Sequence, residues 1–104
     1  MIQRVVLVKL KDEFTVDASR EALAARSREI LLTVPGVLGV TVGVPADGAT
    51  ETAWDLSLVI EFERLDQIPA YIAHPTHRDF VDNLLKPQME VLKAWNFDTA
   101  KYQM

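Results

Sequence analysis

The residue pattern predicts an α+β domain in which a four-stranded antiparallel sheet carries its helices on one face. Three observations lead there. Short β-branched runs alternate with helical apolar stripes in the order strand, helix, strand, strand, helix, strand. Glycine or proline closes each helical stripe, at Pro35-Gly36 and again at Pro87. Over residues 53–63 apolar and polar residues alternate cleanly, the signature of a half-buried strand. At 104 residues, 49% of them hydrophobic, residues 1–104 have the size and apolar content of one domain around one core.

Each element has its own local reason. Residues 2–10 are short, rich in Val and Leu, and closed by the polar breaker Lys11-Asp12-Glu13, so they read as a buried strand. Thr15-Val16-Asp17 offers cap residues for a helix in which Ala22, Leu23, Ile30, Leu31 and Val34 recur at helical spacing. Residues 37–44, with Gly39 and Gly43 inside a β-branched run, read as a bulged or closely approached strand. Asp47-Gly48 marks residues 45–52 as a turn-rich loop. The third strand sets Trp54, Leu56, Leu58, Ile60 and Phe62 on one face and Asp55, Ser57, Val59 and Glu61 on the other.

Asp66 stands where it caps a short helix with Pro69 in the first turn, where a missing N–H costs little. Pro75 opens the next helix, whose stripe of Phe80, Val81, Leu84 and Leu85 runs to Pro87. Residues 93–102, with Trp95, Phe97 and Tyr102, read as the fourth strand. The whole order is the ferredoxin-like βαββαβ pattern.

Composition excludes several functions. A net charge of −4 is wrong for gripping phosphates, so no nucleic-acid partner is expected. There is no cysteine, which removes disulfides, thiolate metal sites and a thiol nucleophile. No apolar run reaches membrane-spanning length and the N-terminus lacks a signal-peptide layout, so the expected location is cytoplasmic with no membrane partner. Gly36, Gly39 and Gly43 lead into a strand rather than a helix N-terminus, and no G-x-S-x-G is present, so neither a phosphate loop nor a hydrolase elbow is indicated.

Parity along the strands sorts the two sheet faces. Arg4, Val6, Val8, Val40, Leu56, Leu58 and one or other of Trp95 and Phe97 fall on the helix-facing side. Val5, Leu7 and Val59 fall on the opposite side, where a sheet facing water would carry polar residues. That apolar second face predicts a homodimer through the sheet faces.

The opening VVLVKLKDEFT, the VPGV before strand two, WDLSLVIEFE on strand three, YIAHPTHRDF and the LKP of Leu85 to Pro87 together resemble the stress-responsive A/B barrel (Dabb) domain family, within the dimeric α+β barrel superfamily. The resemblance covers nearly the whole chain. It implies a homodimer in which two sheets face each other as a barrel with the helices outside, and a small pocket between helices and sheet in each subunit. It also implies two functions: binding of a small apolar or aromatic molecule, or cofactor-independent cyclase, isomerase or lyase chemistry like that of a plant polyketide-cyclising branch. Tyr71 and His77 stand where that branch carries its active-site tyrosine and histidine; where it places histidines on strands one and three, this chain has Arg4 and Leu56.

The chemistry available is that of imidazole and phenol. His77 suits a general base, with the Tyr71 hydroxyl holding a developing oxyanion. The blander alternative makes His77 a first-turn helix residue with a local hydrogen bond and Tyr71 a core-edge aromatic. His74, preceding Pro75, is either a pocket residue or a helix-boundary residue. Arg4 is a ligand-binding candidate or a strand-end residue near solvent. Trp54, Trp95 and Phe97 either line a pocket for an aromatic ligand or fill the core. His-x-x-His supplies only two nitrogens, and Asp79 and Asp82 do not specify a third ligand, so no metal is expected. A third possibility is a purely structural dimer with a filled pocket.

Overall fold

The structure, a computed structural model, describes residues 1–100. Its elements are β1 (Ile2–Leu10), a 3-10 turn (Asp12–Phe14), α1 (Asp17–Leu31), β2 (Gly39–Gly43), α2 (Gly48–Ala53) and β3 (Leu56–Phe62). There follow a second 3-10 turn (Leu65–Gln67), α3 (Ile68–Ala73), α4 (Pro75–Asp79), a π-helical turn (Phe80–Leu85) and β4 (Met89–Asp98). The four strands form one sheet in the order β2-β3-β1-β4, with every neighbouring pair antiparallel, which is the ferredoxin-like arrangement.

Register explains which face is buried. Val6 pairs with Leu58 and Val8 with Leu56, while Val40 pairs with Ile60, so the alternate residues of three strands point together toward the helices. They meet Leu23, Ala24 and Leu31 of α1, Tyr71 of α3 and Phe80 and Leu85 of the π turn in one core. Burying a side chain of Leu or Phe size contributes about 1.5–3 kcal/mol. The stripe on α1 is shifted from the expected one: Arg20, Leu23, Ala24, Ser27 and Leu31 are buried, and Ala22 is exposed.

A buried ion pair accounts for Arg20 and for Asp55, which parity had placed on the outer face. The Arg20 guanidinium donates from Nε (3.0 Å) and Nη2 (2.7 Å) to Asp55 Oδ1, and the Leu10 N–H donates to Oδ2 at 2.7 Å. Arg20 Nη1 also donates to Glu51 at 3.1 Å. These bonds, led by the one to Asp55, raise the guanidinium above its ordinary value against the opposing effect of burial. The clamp ties α1 to the start of β3 and the end of β1. Glu51 belongs to α2, which occupies most of the expected loop over residues 45–52 because the Asp47 carboxylate accepts the Thr50 N–H at 2.8 Å and so caps a helix there.

β4 departs most from expectation. It begins at Met89 rather than residue 93, and the Tyr102 assigned to it lies outside the described residues. Val5 pairs with Trp95 and Gln3 with Phe97, so both aromatics lie on the face turned away from the helices, 51% and 53% exposed. The helix-facing positions of β4 are instead Leu92, Ala94 and Asn96, opposite Val8, Val6 and Arg4. The cause is physical: pairing with β1, including a register shift at Lys9/Leu10, decides the parity of β4, and its own sequence carries no equivalent signal. Trp54 precedes β3 and lies half-buried around one surface hollow with Leu7, Val44, Pro45 and Leu56. No helix among the described residues is long and apolar enough to cross a membrane.

Candidate functional site

The histidine stretch is built by two prolines. Pro69 sits in the first turn of α3, and Pro75 in that of α4. The residue before a proline is pushed out of the helical region, and His74 accordingly has φ −61 and ψ 135, which breaks the chain between the two short helices. His74 Nδ1 accepts the Thr76 N–H at 3.1 Å, making His74 the N-cap of α4. It does not line the cavity described next.

A cavity of about 210 Å³ lies between the sheet and the stretch from α3 through the π turn. Val6 and Arg4 of β1, Leu58 and Ile60 of β3 and Leu92 and Ala94 of β4 form its sheet side; Tyr71, His77, Phe80, Val81 and Leu85 cover them. The π turn shapes this cover, because the Lys86 N–H reaches back five residues to the Val81 carbonyl at 2.9 Å and widens the turn carrying Val81 and Leu85.

Tyr71 is 2% exposed, with its ring packed edge-on against Phe62 (centroids 5.0 Å, 74°) and tilted over His77 (4.5 Å, 51°). Among the described residues its hydroxyl has no hydrogen-bond partner. Tyr71 is one of the residues lining the cavity. Burial pushes its ionisation far above the ordinary tyrosine value, with the Arg4 charge acting weakly the other way. Tyr71 is thus a protonated donor at any physiological pH.

His77 is held by the Ile72 carbonyl, 3.0 Å from Nδ1, a bond that crosses the α3–α4 break. A carbonyl oxygen only accepts, so Nδ1 carries the hydrogen and the neutral ring keeps its lone pair on Nε2. Burial lowers the imidazole below its ordinary value, which favours this neutral form; the Ile72 bond opposes that shift. Arg4 donates from Nη1 to Asn96 Oδ1 at 3.0 Å, and its charge bears on the protonation of both Tyr71 and His77.

Of the candidates named from sequence, Arg4, Val6, Leu58, Tyr71 and His77 come together around this cavity. Val8, Val40 and Leu56 are buried on the same side of the sheet but do not line it. Trp95 and Phe97 are on the other face. Sequence reasoning missed Ile60, Phe80, Val81, Leu85, Met89, Leu92 and Ala94 as lining residues and Asn96 as the partner of Arg4. Ile60 was on the correct face by alternation; the β4 residues had no signal before their register with β1 was known. Among the described residues no group of three His, Asp or Glu side chains is placed to hold a metal ion.

No curated protein sequence matches the chain. Among solved structures, a Dabb family protein with a ferredoxin-like fold from Mesorhizobium loti superposes with TM-score 0.77 at 18% identity, over 93% of this chain and 94% of that one. A dimeric ferredoxin-like protein of unknown function from Thermobifida fusca gives TM-score 0.72 at 22% identity, over 92% and 88%. A hydroxynitrile lyase from Passiflora edulis gives 0.74 at 13% identity, over 92% and 90%. These likenesses concern the fold. The family model for the stress responsive A/B barrel domain matches residues 2–99, and the chain belongs to that family.

Proposed function

We propose that the protein is a homodimer whose subunits each bind one small apolar or aromatic molecule in the cavity beside Tyr71 and His77. The observation that carries this is a largely apolar cavity of about 210 Å³ lined by the buried Tyr71, whose hydroxyl has no hydrogen-bond partner among the described residues. Binding sites have this make-up: apolar walls with a few polar groups that fix orientation. An apolar cavity of about 150 Å³ admits benzene, so the volume here suits a single ring with a short substituent. The apolar sheet face bearing Val5, Trp95 and Phe97 supports the dimer, as does the dimeric neighbour.

Thermal-shift measurements with phenol and ethylbenzene test this reading. Binding raises apparent stability by mass action, and the shift is expected to vanish in Ala94→Phe, which fills the cavity from β4. Equal shifts in wild type and Ala94→Phe, or none in either, would remove the cavity as the binding site.

A second reading is favoured by one specific observation, the tautomer of His77. With Nδ1–H committed to Ile72, Nε2 is a ready proton acceptor, and protonated Tyr71 is a donor for an oxyanion. This supports cofactor-independent proton transfer on a small carbonyl compound, of the cyclase, isomerase or lyase type. In that case His77→Gln removes turnover by about 10²–10⁴-fold while leaving ligand binding measurable.

A further inference from the structure

The charge balance of the cavity is unusual for this molecule. The chain as a whole carries −4, yet no acidic side chain among the described residues lines the cavity, and Arg4 does. Tyr71 is protonated and His77 is held neutral, so the arginine leaves the site with one uncompensated positive charge. Other internal arginine contacts are different. Arg20, which is buried, is met by Asp55 and Glu51, whereas among the described residues Arg4 is met only by the neutral amide oxygen of Asn96. That single bond engages Nη1, and among the described residues the remaining guanidinium N–H groups have no partner.

The Arg4 guanidinium stands at the solvent-exposed edge of an otherwise apolar cavity, a position that favours an anion, and its planar fork matches a carboxylate. The Tyr71 hydroxyl adds a neutral donor on the same cavity. We propose that the ligand is a small monocarboxylate, a one-ring aromatic acid or a short branched acyl acid, with its carboxylate on Arg4 and its apolar body against Leu58, Ile60 and Phe80. Asn96 is a positioning residue, since its Oδ1 holds the guanidinium over the cavity from the neighbouring strand. This inference rests on the cavity-binding reading and adds the ligand's charge to it.

The test compares two probes of nearly equal shape, benzoate and benzamide, by calorimetric titration of wild type, Arg4→Met and Asn96→Ala. Wild type is expected to bind benzoate at least about tenfold more tightly than benzamide, the scale of a charge-assisted hydrogen bond. Arg4→Met is expected to abolish that preference, so that benzoate binds the variant no more tightly than benzamide does, and Asn96→Ala to reduce it. If wild type binds the two probes equally, the carboxylate inference is overturned and the cavity reading stands, and this arm needs no variant to fold. If neither probe binds, and ethylbenzene does not either, both fail together. A preference for benzoate that persists in Arg4→Met would place the anion elsewhere and overturn the assignment to Arg4.

Discussion

At His77 the two ring nitrogens have separate duties, one fixed by the Ile72 carbonyl and the other left with a lone pair. Burial lowers the folded-state value below 6.5, so at mildly acidic pH the unfolded chain binds the proton more readily than the native one. The associated stability is present above the unfolded value and is lost as pH falls through the lowered folded one. Melting temperatures of wild type and His77→Gln between pH 7.5 and 5 check this: the variant should lose less on acidification, and parallel curves would clear His77 of the effect. Asp55 offers a larger effect. Asp55→Ala strips the buried Arg20 of its main partner and frees the Leu10 N–H, so chemical denaturation should show a loss of about 3–5 kcal/mol. Among single residues, the strand parity of Arg4, Val6 and Leu58 was readable in advance, because β1 and β3 alternate. The pairing of Arg20 with Asp55 was not, since it joins residues 35 apart through the tertiary fold.

The elements differ in how much of their form is local. β3 was legible because its burial strictly alternates along the strand, whereas β4, with mixed exposure along its length, takes its register from β1. The α3–α4 break was legible in Pro75, yet the π turn after it was not, because Phe80, Val81, Leu84 and Leu85 read equally well as an ordinary helix. The turn from α1 into β2 depends on Gly36, whose φ of +92 lies where a side chain is strained. Gly36→Ala should therefore lower stability by about 1–2 kcal/mol in urea denaturation, although its Cβ would have space beside Gln67. A neutral result would mean the turn re-forms in another conformation.

Across the whole molecule, β1 and β4 present one face to the cavity and the other to the outside: Arg4 and Asn96 inward, Val5 and Trp95 outward. A second copy covering the outward face would shield Trp95 and Phe97 from water. Trp95→Glu then places a charge in that interface, and light scattering at micromolar concentration should report a dimer for wild type and a monomer for the variant; a monomeric wild type would remove the dimer from the account. The same geometry separates two optical signals. The chain has two tryptophans, and neither lines the cavity. Trp54 is already half-shielded, so the emission that moves on dilution should be that of Trp95, shifting to longer wavelength as copies part and the indole meets water. Small molecules entering beside Tyr71 would quench no indole directly, so intrinsic fluorescence serves as a readout of assembly that stays largely blind to occupancy.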